Sequence, residues 1–227
     1  MSRRLSAVSA AIVALCLYPL VASAETQLSV YGGFNWNFSS DVKLNAPGAQ
    51  DQRSVDWDGG SFDFPPYWGV RGVYWLSRTS NWGFAIDYTH QKALADINFA
   101  ADPTYDRLEF TDGNNLLILE VLYRFSPLMN GTLVPYVGAG AGVTIPHVEV
   151  TLDPGKGGSK TFEYQLAGPA AQILAGLEYK LDNSWSLFTE FKLSYSHISA
   201  DLQGGGELET ELWSPALAIG LTYRFPQ

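Results

Sequence analysis

Cysteine is almost missing from this 227-residue chain: the single copy, Cys16, lies in an apolar stretch near the N-terminus. With no second thiol, disulfide scaffolds and zinc–thiolate sites fall away. Leu15, not a small residue, precedes Cys16, which argues against a lipid anchor there. Beyond this stretch no apolar run approaches the roughly 20 residues that a spanning helix needs. Positive charge is scarce too: 14 Lys and Arg face 23 Asp and Glu, a net charge of -9. That sign excludes nucleic acid as a partner. It leaves anionic lipid open, since divalent cations can bridge like charges.

What is present starts with an export signal. Arg3 and Arg4 form a basic head, Ala10 to Val21 an apolar middle, and Ala22-Ser23-Ala24 a small-residue cleavage site. Residues 1–24 are therefore expected to be a signal peptide, and residues 25–227 a single barrel domain. Loss of Arg3 and Arg4 takes the net charge from -9 to -11.

Eight segments of about ten residues then alternate apolar and polar side chains, the pattern of strands that face lipid on one side. They begin at QLSVYGGFNWNF, PYWGVRGVYWLS, WGFAIDYTH, NLLILEVLYRF, PYVGAGAGVTI, AQILAGLEYKL, SWSLFTEFKLSYS and WSPALAIGLTYRF. In the first, Leu28, Val30, Phe34, Trp36 and Phe38 share one face, and Gln27, Ser29, Tyr31, Asn35 and Asn37 the other. In a bilayer every backbone polar group must be paired internally, so only helices or closed barrels span it. The fold class is thus all-β: an eight-stranded antiparallel transmembrane β-barrel of the outer membrane.

The connections agree. Ser77–Asn81, Ser126–Val134 and Asp182–Asn183 are short, whereas 39–66, 91–113, 151–163 and 199–212 are long and polar. Short turns belong on the periplasmic side and long loops outside the cell. Inward parity falls on Arg71, Asp87, Glu120, Glu178, Lys180, Glu190, Lys192 and Arg224. Eight strands leave a lumen that side chains fill, so these charges are expected to pair as a buried plug.

VGAGAGV has the look of a dinucleotide fingerprint. However, Val143 stands at the third glycine position and no helix pattern follows. Relief of crowding in a narrow lumen is the better reading. Trp57, Asp58, Phe62 and Phe64 precede the second segment, as interface anchors or a sugar platform. Glu109, Asp112, Asn114 and Asn115 lie around the turn-forming TDGNN; as turn formers they come first, and as sugar or cation contacts second.

His90, His147 and His197 each sit at the outer end of an upward segment: the third, fifth and seventh. Parity turns His90, His147 and Glu149 outward, at the height of lipopolysaccharide headgroups. A polar rim that anchors the barrel would need no more than this. The sharper reading makes His90 and His147 bases or ligands with Glu149 as orienting group or third ligand, a two-His, one-carboxylate metal site. His197-x-Ser199, with Glu211 across the last hairpin, offers a nucleophile, base and acid for ester hydrolysis.

Taken together, YGGFNWNFSSDV, WDGGSFDFPPYWGVRGVYWL, DYTHQK, LEFTDGNNLL, PYVGAGAGVTIPHVEV and FEYQLAGPAAQ resemble the outer-membrane lipid A oxidase family over most of the chain. The resemblance implies an eight-stranded outer-membrane barrel. It implies oxidation of the proximal glucosamine of lipid A to 2-aminogluconate, with molecular oxygen as co-substrate and hydrogen peroxide as by-product. Lipid A, or lipopolysaccharide, is then the expected partner within the outer-membrane lipid. Oxygen and a closed-shell sugar react by a spin-forbidden pairing, which calls for a redox or divalent metal or an organic cofactor. A His/carboxylate site is the option compatible with this sequence. Two rivals stand beside it: a lipid A 3-O-deacylase using His197 and Ser199, and a non-catalytic barrel that stabilises the membrane or adheres through its loops.

Overall fold

The computed structural model describes residues 24–153 and 158–226. The expected signal peptide, including Cys16, lies outside the described residues except for Ala24. The strands are β1 (Glu25–Asn35), β2 (Ser40–Ala46), β3 (Ala49–Val55), β4 (Trp57–Asp58), β5 (Trp68–Trp75), β6 (Trp82–Ala95), β7 (Tyr105–Arg124), β8 (Leu133–Leu152), β9 (Lys160–Tyr164), β10 (Gly168–Lys180), β11 (Trp185–Asp201) and β12 (Glu207–Arg224). Eight of them, β1-β5-β6-β7-β8-β10-β11-β12, form an antiparallel ring that β1 and β12 close by pairing Gln27 with Arg224 through Asn35 with Ala216. Closure removes both sheet edges, which a bilayer would not tolerate.

The membrane-facing band is framed by two aromatic girdles. Trp68–Tyr88 and Tyr195–Trp213 mark its upper edge; Trp82–Tyr123 and Trp185–Tyr223 mark the lower. Along β12, Trp213 and Tyr223 are ten residues apart. At about 3.3 Å per residue and a tilt of about 40°, they stand about 25 Å apart along the barrel axis, the height of an apolar band. Between them Leu217, Ile219, Phe84, Ile86 and Leu119 point outward and are exposed.

Above the upper girdle the strands continue, which corrects the expectation of long polar loops there. β6 runs to Ala95, β7 starts at Tyr105, β8 reaches Leu152 and only 202–206 separate β11 from β12. The 39–66 stretch holds β2, β3 and β4, and the 151–163 stretch the start of β9. The reason is an inversion of polarity. On β12, Leu217 and Ile219 face lipid while Ala216 and Ala218 face in; one step higher Leu208 and Leu212 face in while Glu209 and Glu211 face out. Val42, Leu44, Trp57, Leu108, Phe110, Val148, Val150 and Ile198 join Leu208 and Leu212 in a core above the membrane. Alternation survives there with the opposite sign, because the surroundings change from hydrocarbon to water.

The lumen is plugged by charge. Arg71 pairs with Glu190 at 2.8 Å and approaches Glu120 at 3.8 Å; Lys192 pairs with Asp87 and stands 3.6 Å from Glu190. The Tyr31 hydroxyl donates to Asp87 at 2.7 Å, the Tyr136 hydroxyl to Glu190 at 2.8 Å, and Gln172 Nε2 to Glu120 at 2.7 Å. A second cluster closes the periplasmic end, where Arg224 meets Glu178 at 3.0 Å and Glu25 at 2.9 Å, and Arg124 meets Glu25 at 3.2 Å. Buried charges persist when both partners and their remaining hydrogen bonds are satisfied. Lys180 is the exception to the expected network: it is half-buried at the periplasmic mouth, because the lumen ends there and water solvates its ammonium. Gly140 and Gly142 turn in against the β7 backbone, where a Cβ would collide with the Leu119 and Leu117 carbonyls. Close strand approach accounts for them without a nucleotide.

Candidate functional site

The rim above the upper girdle, on the outward side of β6, β7 and β8, is where the sequence put its candidate residues. Its shape comes from a bulge in β7. Glu109 pairs with Glu149 and Asn114 with Pro146, so five steps on β7 face three on β8. The same stretch is out of register with β6 between Gln91 and Ala93. Thr111 to Gly113 leave the ladder, and Gly113 turns them at φ +113°. Bulges of this kind re-aim side chains.

The bulge brings Thr111 and Asp112 onto β8. Thr111 Oγ1 donates to Glu149 Oε1 at 2.6 Å. His147 Nδ1 lies 3.0 Å from the same carboxylate oxygen and 3.8 Å from Asp112 Oδ2. Arg107 pairs with Glu149 Oε2 at 2.7 Å and also with Glu109. His147 and Glu149 are buried, whereas the Asp112 side chain is 49% exposed. The cover over His147 comes from β9: Phe162 and Tyr164 make T-shaped contacts with the imidazole at 4.5 and 4.6 Å between ring centres. Tyr164 donates to the Asp112 carbonyl at 2.9 Å. Burial first, and then the Asp112 and Glu149 carboxylates, push the Tyr164 phenol above its ordinary range. A pocket of about 390 Å³ opens beside this group, lined by Phe64, Lys92, Arg107, Asp112, Glu149 and Phe162.

His147 and Glu149 therefore meet, and His90 stands apart from them in its bonding. Its outward parity holds, yet it is buried beneath Trp68, which stacks on it at 6.1 Å, and beside the backbone of Gly113. Asn115 Nδ2 donates to the Ile145 carbonyl, so its Oδ1 is the acceptor for Tyr88 OH and for His90 Nδ1–H, both at 2.9 Å. That bond fixes the tautomer and occupies Nδ1. In place of His90, Asp112 completes a three-donor cluster: Asp112, His147 and Glu149 offer ligand atoms within 4.8 Å of one another. Two carboxylates and one imidazole suit a divalent cation that prefers oxygen, with borderline ions admitted by the nitrogen. The sequence offered Asp112 as a turn former and, second, as a cation contact; periodicity could not set it beside His147, because the bulge breaks the alternation.

On β11 and β12, His197 and Glu211 are cross-strand partners with Nδ1 and Oε1 at 3.6 Å. The Ser199 hydroxyl is bonded to Glu207 rather than to His197. The pair is present, but the serine's proton points to a carboxylate.

Comparison with known proteins places these features in context. No curated protein matches this chain. Among solved structures, Neisserial surface protein A is 15% identical, with 89% of this chain and 97% of that one covered at a TM-score of 0.45. Ail, the attachment invasion locus protein of Yersinia pestis, solved with the heparin analogue sucrose octasulfate, is 12% identical, with 89% and 99% covered at 0.42. The Escherichia coli outer membrane protease OmpT is 11% identical, with 88% and 97% covered at 0.44. The family model described as outer membrane protein beta-barrel domain matches residues 7–225. This chain belongs to the outer membrane protein beta-barrel family and resides in the outer membrane.

Proposed function

We propose that the protein is an outer-leaflet enzyme that oxidises the proximal glucosamine of lipid A to 2-aminogluconate. The observation that carries the reading is the position of the His147–Glu149 pair. It lies on the outside of the barrel wall, above the upper girdle, and its Glu149 lines a pocket on that outer face. A lumenal site would instead serve small solutes, and this lumen is filled by its charge plug.

In the proposed reaction the C1 hemiacetal of a sugar without a 1-phosphate loses its hydroxyl proton and the hydrogen on C1. Oxygen takes up two electrons and two protons and leaves as hydrogen peroxide. The resulting lactone adds water to give the gluconate. His147 is the base for the C1 hydroxyl, its ring oriented by Glu149, which Thr111 and Arg107 hold in turn. Positioned proton transfer of this kind contributes about 10²- to 10⁴-fold. A redox-active divalent ion, held by the Asp112 and Glu149 carboxylates so that His147 stays free as the base, would supply the one-electron steps that oxygen chemistry needs. His90 has a positioning role here, since its Nδ1 braces Asn115.

The test is mass spectrometry of lipid A from a host that supplies 1-dephosphorylated lipid A, with and without the gene, in air and without oxygen. A product heavier by one oxygen atom, formed only in air, supports the reading. Loss of an acyl chain would instead favour hydrolysis at His197 and Ser199. Unchanged lipid A, with the barrel folded in the outer membrane, would leave a structural or adhesive role.

A further inference from the structure

The wall beneath this rim is indented. Gly72 on β5 pairs with Ile86 on β6, and Ile86 with Leu119 on β7. A Cβ placed on Gly72 meets nothing within 4 Å. A groove of about 450 Å³ opens there on the outside of the barrel, walled by Tyr74, Phe84, Ile86 and Leu119. The Glu120 side chain beside it turns into the lumen, where Gln172 holds it. The groove lies between the two girdles, so the molecules that reach it are hydrocarbon chains.

Groove and rim share their strands. Gly72 to Trp68, Ile86 to His90 and Leu119 to Asn115 are each four residues, about 13 Å along the strand. We propose that this groove seats one acyl chain of the lipid whose headgroup occupies the rim pocket; the proposal rests on the reading of that pocket as a lipid A headgroup site. Lipid tails are as apolar as the barrel surface, so burial alone gives no preference for one chain over another. Two other effects do. An unfilled notch forfeits dispersion contacts that a fitted chain restores. A chain tethered by a headgroup bound at the rim is also delivered to the notch at high effective concentration. A phospholipid with no hold at the rim has only the first of these.

The experiment places the refolded protein in phosphatidylethanolamine vesicles with lipid A that carries a photoreactive diazirine in an acyl chain, and maps crosslinked peptides. Labelling of Tyr74, Phe84, Ile86 and Leu119 is expected to exceed that of Leu187, Phe191 and Ile219 on the opposite wall several-fold. Gly72→Leu puts a side chain into the notch, where its Cβ has open space, and should abolish that excess while the barrel still folds. Even labelling around the barrel, equal labelling by a diazirine phosphatidylethanolamine, or an unchanged pattern in Gly72→Leu would overturn the proposal. The readout needs no turnover. Notch labelling without oxidation would refute the oxidase and leave the groove; oxidation with even labelling would do the reverse.

Discussion

Asp112 stands 3.8 Å from His147 because β7 carries a bulge that β8 does not match. The pivot is Gly113, whose φ of +113° suits glycine and whose missing side chain leaves room for the His90 ring and the Asn115 amide. Gly113→Ala is expected to cost about 1–3 kcal/mol in backbone strain and to push His90 off Asn115. Urea unfolding and lipid A mass spectrometry on the same preparation check both effects. Oxidation should fall further than the lost stability accounts for. Full activity would detach the bulge from the site.

Asp112 is half-exposed and keeps its shape as asparagine, so Asp112→Asn should fold as the parent does. It removes one of three anionic or nitrogen donors within 4.8 Å. Titration with Mn²⁺, followed by its electron paramagnetic resonance signal, should show at least about tenfold weaker binding, a loss of about 1.4 kcal/mol. A chelator should abolish the proposed oxidation by the native protein, and a returned cation should restore it. Oxidation undiminished after exhaustive chelation would remove the ion from the reaction.

His147→Ala deletes the proposed base and should lower oxidised lipid A by about 100-fold or more. Glu149→Gln keeps the size of the side chain and its bond from Thr111 but loses the charge that faces His147 and Arg107. A smaller loss is expected, with its pH profile shifted. Ser199→Ala should leave oxidation unchanged, since Ser199 lies on β11, two ring strands from β8, and its hydroxyl is bonded to Glu207. Heat-modifiable migration of each variant separates chemistry from folding.

The eight spanning segments were legible because hydrocarbon outside and charge inside impose a period of two. Leu28 and Val30 against Gln27 and Ser29 show it at once. The outer extension was not, although its strands keep the same period. Leu208 and Leu212 point inward there as Ala216 and Ala218 do lower down, and an apolar interior reverses the meaning of the pattern. Glu207, Glu209 and Glu211 then read as a loop when they are the wet face of a strand. His147 and Glu149 could be paired from the sequence because they are two residues apart on one strand. Asp112 could not, since its place depends on a bulge between strands, and Glu25 could not be matched to Arg224 before the ring was closed.

Outside the membrane, the β2–β3 hairpin is tied to the 102–105 turn by Arg53 and Asp102. Burial raises the Asp102 carboxyl, but the backbone N–H groups of Tyr105 and Thr104 and the Arg53 guanidinium outweigh it and hold it below the usual carboxylate range. A carboxylate depressed in the folded state stabilises above its unfolded pKa, about 3.9, and loses that contribution as pH falls through the folded value. Hydrogen exchange, corrected for intrinsic rates, should thus quicken in Lys43–Arg53 below about pH 4 and leave the spanning strands protected. Asp102→Asn should show the faster exchange already at neutral pH; equal protection in both proteins at all pH values would mean the tie contributes nothing.

The lumen gives the sharpest test of what holds the barrel. Lys192 is buried, its ammonium donates to Asp87 and Tyr31, and Glu190 lies 3.6 Å away. Lys192→Met fills the same space but leaves the Asp87 carboxylate without its ion-pair partner, held only by hydrogen bonds from Tyr31 and Gln172 and by the more distant Arg71. Removing one member of a buried pair costs about 3–5 kcal/mol, because the charge left behind is no longer neutralised. Asp87→Asn should cost a similar amount for the opposite reason. Their combination removes both charges of the pair, so Lys192→Met with Asp87→Asn should be more stable than either single variant. The double-mutant cycle would then show a coupling of about 0.5–3 kcal/mol, as expected of residues in contact. Urea unfolding in vesicles measures it. Additive losses would mean that the two charges are solvated separately and that the plug stabilises by packing alone.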